Sequence, residues 1–321
     1  MNLIDISKVI EKIQDQEQEK DVSIAELLNV LLSVKLYIAI FVFIGSLASV
    51  ALALYLPNKY EATIVLVPQS NGDSGAMSSI AGQLGGLASV AGLQLPSGEN
   101  NVKVTLETLK SREFLMKFIE KYDIKPELMA VKSWEQGSET YVYDEKLYNF
   151  EDDVWVVDTT TGETVEPSLF YSYQEFRKLL TINQSSDQQI FKLTLTHYSP
   201  YDAAKWLDLL VVELNEHMKM KEMLEAKKYK QFLENEVSNT VVKDMQGVLY
   251  KLIEEQVRTI MFASVREEFA FKVIDPVIIP EEKSSPRRAL IVIIGVFLSG
   301  FLAVFTAFAH YFSTASTRRK S

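Results

Sequence analysis

The chain has 321 residues, 47% of them hydrophobic, a formal net charge of -10 and no cysteine. Without cysteine, disulfides and thiolate metal sites are excluded. An acidic balance with no basic stripe argues against nucleic acid and against docking on anionic lipid.

The apolar residues are concentrated near the two ends. Leu36 to Leu56 gives 21 uncharged residues, and Ala289 to Phe312 gives 24 without a permanent charge. A helix rising about 1.5 Å per residue needs roughly 20 apolar residues to cross a hydrocarbon core. Both runs therefore read as membrane spans, enclosing a loop of 232 residues from Pro57 to Arg288 that is long enough for a sizeable core. The first run begins 35 residues in, exceeds a signal-peptide h-region and lacks a small-residue cleavage site, so it reads as a retained span. The tails balance seven acids against seven bases, and the loop, with 36 acids and 26 bases, holds the whole net charge. Lys35, Arg318, Arg319 and Lys320 favour both ends inside, while Lys283, Arg287 and Arg288 flank the second span on its other side. Long loops cross largely regardless of charge, so the expected arrangement is ends in, loop out.

The elements follow in order. Ile24, Leu27, Leu28, Leu31 and Leu32 mark an amphipathic lead-in to the first span. Tyr60 to Val67, rich in β-branched residues and closed by Pro68, predicts a strand. Gln69 to Asn100 carries seven of the 13 glycines but neither a P-loop nor a G-x-G-x-x-G pattern, so nucleotide binding is not expected. Val104 to Tyr122 predicts one helix, Asp153 to Asp158 a strand, Tyr173 to Leu180 a short helix and Gln189 to His197 a strand.

Ser199 as N-cap, Pro200 at the first helical position and Asp202 three residues after the cap open a long helix. It runs either unbroken to Gln246, about 70 Å, or folds into a hairpin around Ser238 to Thr240 or at Gly247. The charged middle, Lys219 to Lys230, reads as a solvated helix face. Glu268 to Asp275 predicts a strand, and because it and Tyr60 to Val67 both abut a span, the two are expected to pair.

No constellation supports catalysis. Glu213 and His217 share a helix face, supply two ligands where catalytic zinc takes three, and read as a surface hydrogen bond or ion pair. His197 ends a strand and His310 sits at a membrane boundary. Glu151, Asp152 and Asp153 alternate faces if extended, and no calcium-loop pattern follows, so a solvated loop edge is expected. No cofactor or metal site is predicted. In the spans, small residues recur every four positions, at Gly45, Ser49 and Ala53 and at Gly295, Ser299, Ala303 and Ala307. Such grooves let helices approach closely where lipid offers no hydrophobic drive. Pro276, Pro280, Pro286 and Arg287 form the junction opening the second span.

The two-span hairpin, the segment LIEEQVRTIMFASVREEFAFKVIDP (Leu252 to Pro276), the proline-spaced PVIIPEEKSSPRR (Pro276 to Arg288) and NKYEATIVLVP (Asn58 to Pro68) together resemble the polysaccharide co-polymerases, the Wzz-type chain-length determinants of bacterial inner membranes. The stretch from Pro126 to Gln189 resembles them only in layout. The resemblance implies an α+β fold in which a membrane hairpin of two transmembrane helices encloses a periplasmic α/β base with a long helical protrusion. It implies cytoplasmic tails at 1–35 and 313–321, spans at 36–56 and 289–312, and a periplasmic domain at 57–288 with its long helix from about 200. It also implies a homo-oligomeric ring in the lipid bilayer that works with a membrane glycan polymerase on lipid-linked polysaccharide. On that basis the chain is expected to be a non-catalytic regulator of O-antigen or related glycan length, of the class without a kinase domain. The alternative is a two-span extracytoplasmic sensor or receptor, for whose output module tails of 35 and nine residues leave little room.

Overall fold

The computed structural model describes residues 31–69, 98–185 and 190–318. Ile24, Leu27 and Leu28 of the lead-in and most of the glycine-rich segment lie outside them. The chain divides into two compact units, 1–56 with 286–321, and 57–285. It mixes helix and sheet, with two apolar helices towards the termini flanking the central unit.

The first unit consists of α1 (Lys35–Tyr55) and α8 (Arg288–Arg318), packed against each other. Both are long and apolar enough to cross a membrane. A soluble core helix hides its large apolar side chains, whereas here Phe43, Ile44, Leu47, Phe297, Phe301 and Phe305 all face outward. That outer surface suits lipid as its solvent.

In the second unit the central strand is β1 (Lys59–Pro68). Its alternating residues Tyr60, Ala62, Ile64 and Leu66 are buried, as period-two burial on one sheet face requires. After it come α2 (Gly98–Lys110), α3 (Arg112–Lys121), α4 (Lys125–Met129), the hairpin of β2 (Val131–Glu135) and β3 (Thr140–Tyr143), and the short pair β4 (Tyr148–Asn149) and β5 (Val154–Trp155). Next are α5 (Leu169–Leu179), β6 (Leu180–Gln184), β7 (Phe191–His197), α6 (Pro200–Asn239), α7 (Lys243–Val265), β8 (Phe271–Asp275) and β9 (Lys283–Ser285).

The main sheet runs β6-β7-β1-β8, with β9 also on β1. Every pairing is antiparallel. β7 takes one edge of β1, while β8 and β9 share the other, at Val65–Pro68 and Lys59–Tyr60. The expected pairing of the strand after the first span with the strand before the second is thus present, Leu66 opposite Val273. β9 has no counterpart among the expected strands. It pairs Ser285 with Lys59, so the two ends of this unit lie side by side.

The core forms between one sheet face and the helices packed on it. Phe191, Leu193 and Leu195 of β7 join the β1 residues against Trp206, Leu207, Leu210 and Leu214 of α6, Phe114, Leu115 and Phe118 of α3, and Phe176 of α5. The α6 cap is as expected: Ser199 Oγ accepts from the Asp202 amide at 3.2 Å. The helix does not run to Gln246. It ends at Asn239, and α7 lies alongside it. Thr240, Val241 and Val242 form a β-branched run that costs helix propensity, with backbone in the extended region at Thr240 and Val242. Gln246 Nε2 donates to the Thr240 carbonyl at 2.7 Å, satisfying the turn. Gly247 is an ordinary position inside α7.

Two other expectations need correction. Val104 to Tyr122 is two helices, because Ser111 turns extended and its Oγ accepts from the Phe114 amide at 3.2 Å to start α3. Asp153 to Asp158 is not a full strand: Asp153 has φ 55, only Val154–Trp155 pair, and Val157 makes an isolated bridge to Thr164.

Candidate functional site

The small residues of the two apolar helices meet face to face. Gly45 lies against Ser299, and Gly295 lies against Ser49. Each glycine admits the partner's serine where a side chain of its own would collide with it. Ala53, Ser299, Ala303 and Ala307 are buried. The serine hydroxyls do not cross between helices: Ser49 Oγ donates to the Gly45 carbonyl at 2.9 Å and Ser299 Oγ to the Val296 carbonyl at 2.9 Å. Such bonds to the preceding turn satisfy the hydroxyl within its own helix. Close approach, not hydrogen bonding, is what these positions supply.

The proline-spaced junction separates into two parts. Pro276 and Pro280 lie in the irregular segment between β8 and β9, while Pro286 and Arg287 occupy the two residues between β9 and α8. Pro286 cannot donate a ladder hydrogen bond, and β9 ends just before it.

The residues weighed for chemistry are dispersed or engaged. Glu213 does not pair with His217, contrary to expectation. It takes Lys121 Nζ at 2.5 Å and Tyr122 Oη at 3.2 Å, while His217 meets the Phe114 ring edge-on at 5.5 Å. Helical spacing puts the two on one face but says nothing of a competing lysine from α3. Glu151, Asp152 and Asp153 sit on an exposed turn rather than a strand. Asn149 Nδ2 donates to Asp152 at 2.7 Å, and the Tyr148 hydroxyl donates to Asp153. Among the described residues, no three His, Cys, Asp or Glu gather so as to hold a metal ion.

His197 is buried beside Trp206, ring centroids 4.6 Å apart. Its Nδ1 accepts from the Ser199 amide at 3.2 Å, which leaves the proton of the neutral ring on Nε2, 3.3 Å from the Glu127 carbonyl. Burial pushes its pKa down to about 4. Nearby, burial and then the charge of Glu127 push Asp202 up to about 6, against the pull of Lys205. Burial raises Glu127 as well.

An aromatic cleft in the second unit goes beyond the sequence reading. Trp134 and Tyr141 of the β2–β3 hairpin meet Tyr201 at the start of α6, with Phe150 at the rim and a volume of about 390 Å³. The available signal is the density of rings, with Trp134, Tyr141, Tyr143, Tyr148, Phe150 and Trp155 inside 22 residues.

Two close-packed apolar helices, each long and apolar enough to cross a membrane, flank an α+β unit along the chain. Residues 20–122 match the model of the family Wzz, chain length determinant protein. No curated protein matches the chain. Among solved structures, a full-length bacterial polysaccharide co-polymerase is similar at 12% identity and a TM-score of 0.38, covering 91% of this chain and 99% of that one. A fragment of WzzB from Salmonella Typhimurium shows 12% identity and a TM-score of 0.27, covering 71% and 100%. A point mutant of the Shigella flexneri lipopolysaccharide O-antigen chain-length regulator WzzBSF shows 10% identity and a TM-score of 0.21, covering 70% and 100%.

Proposed function

We propose that the chain regulates the length of a surface polysaccharide, O-antigen or a related glycan, without catalysing a reaction of its own. The observation that carries this reading is the match of residues 20–122 to the chain length determinant family. In this reading residues 1–35 and 313–321 are cytoplasmic, 36–56 and 289–312 cross the bacterial inner membrane, and 57–288 lie in the periplasm. The chain works as a homo-oligomeric ring beside a membrane polymerase that extends lipid-linked polysaccharide.

A length regulator needs no reacting group; it needs a surface of defined reach and a fixed tie to the membrane. The pairing of β9 with β1, which brings Lys59 and Ser285 together, supports the tie. The α6–α7 hairpin, with α6 running 40 residues, supports the reach. In the membrane, Gly45, Ser49, Ala53, Gly295, Ser299, Ala303 and Ala307 are assigned to helix packing, and Pro276, Pro280, Pro286 and Arg287 to the geometry of the junction. Deleting the gene tests the reading. Polysaccharide lengths become random or short while total sugar incorporation persists; an unchanged length distribution contradicts it.

A further inference from the structure

We infer that the cleft between the β2–β3 hairpin and the start of α6 is a binding site for the neutral sugar rings of a glycan. Trp134 is part of its lining, 4.9 Å from the Tyr141 ring and 5.9 Å from the Tyr201 ring, at interplanar angles of 71° and 60°. These steep angles turn ring faces in different directions around one space. The volume, about 390 Å³, falls in the range of small-molecule clefts, about 300–1,000 Å³.

A satellite core would enclose these rings, yet Phe150 is 67% exposed and Tyr201 42% exposed. Open aromatic surface beside carboxylates calls for an amphipathic occupant. Aromatic faces carry negative charge density and receive the slightly positive C–H face of a pyranose. Glu139 and Asp202, both on the lining, are acceptors for its hydroxyls. Tyr201 Oη donates to Glu139 at 2.7 Å, which holds one acceptor at the rim.

The lining contains no lysine or arginine. Phosphorylated ligands, nucleotides and acidic sugars would meet two carboxylates and no cation on the lining itself. The rings also continue beyond the cleft: Tyr141 lies 5.5 Å from Tyr143, which stacks on Phe150 at 5.1 Å and 15°. Such a track suits consecutive sugars rather than a single one. The inference deepens the chain-length reading and rests on it only for the cell's own glycan being the natural occupant.

The full-length chain in detergent micelles, titrated calorimetrically with maltohexaose, mannohexaose and chitohexaose, tests the inference. An oligogalacturonate of the same length serves as the acidic control. At least one neutral probe binds saturably, and the acidic one binds about tenfold or more weakly. Tyr201→Ala and Phe150→Ala, which alter exposed rings and leave the unfolding temperature unchanged, weaken the neutral probe by about tenfold. Absence of saturable binding by all three neutral probes overturns the inference, as does unchanged binding in both variants. Neither result touches the chain-length reading, which the gene deletion tests separately. Binding in a protein whose deletion leaves glycan lengths unaltered overturns that reading alone.

Discussion

Gly295 and Ser49 fit together so closely that a β-carbon added to Gly295 would come within 2.6 Å of Ser49 Cβ. Gly45 and Ser299 repeat the relation one turn along each helix, with the glycine on the opposite partner. Exchange of glycine and serine between the helices lets both backbones approach without a void.

Leucine at either glycine has no room. Gly295→Leu and Gly45→Leu force the helices apart at a cost of about 1–3 kcal/mol, typical of overpacking. Glycan length shifts from wild type while the protein accumulates normally, as immunoblots and gel ladders from the same strains would show. Phe297→Leu, at a residue 77% exposed on the outer face, leaves the ladder unchanged.

Asn215 of α6 fastens the start of β8. Its Oδ1 accepts from the amides of Ala270 and Phe271 at 2.8 and 2.9 Å, and its Nδ2 donates to the Phe271 carbonyl at 3.0 Å. Asn215→Leu leaves those buried backbone groups unmatched, each lost partner costing about 1–3 kcal/mol. Chemical denaturation of the full chain in micelles should show a loss of several kcal/mol, whereas Lys228→Leu on an exposed part of the same helix changes little.

His197 makes the unit acid-sensitive. Its folded pKa, about 4, lies below the ordinary 6.5, so its contribution is complete above pH 6.5 and is lost as pH falls towards 4. The difference corresponds to about 3 kcal/mol. His197→Gln, neutral throughout, removes this pH dependence although it is less stable than wild type at pH 7. Unfolding temperatures at pH 7.5 and 4.5 measure both effects.

Asp202 works in the opposite sense. Its folded pKa, about 6, is above the ordinary 3.8, so its favourable contribution exists below pH 3.8 and is lost as pH rises through 6. The α6 N-terminus favours the carboxylate and moderates the cost. Asp202→Asn therefore stabilises the protein at pH 7 by about 1–2 kcal/mol, discounted for partial exposure. The gain disappears near pH 4, and the acid sensitivity caused by His197 becomes steeper. An equal effect of the substitution at both pH values would contradict this.

Where a local rule has a single physical solution, the sequence is informative. The apolar runs, the Ser199–Pro200 helix start and the alternation of Phe191, Leu193 and Leu195 each lead to the observed element. The β1–β8 pairing is expected from two strands next to apolar runs, and it forms although β9, not β8, adjoins the second apolar helix. Elements set by competition are less legible. Ser111 interrupts what looks like one amphipathic stripe, and Thr240 to Val242 end α6 without glycine or proline. β9 owes its existence to the edge of β1 left open by β8, not to its own sequence, Lys-Ser-Ser. The glycine–serine contacts extend the small-residue stripes with a register that spacing alone does not give. The aromatic cleft is assembled from the β2–β3 hairpin, α6 and the loop after β4, so no single segment announces it.

The distribution of glycan lengths tests the account most directly. A deletion strain and the same strain complemented with wild-type and Gly295→Leu genes should be compared on one lipopolysaccharide gel. The account predicts a wild-type modal band, its loss in the deletion strain with total sugar retained, and an altered mode with Gly295→Leu. A ladder identical in all of these strains would contradict it.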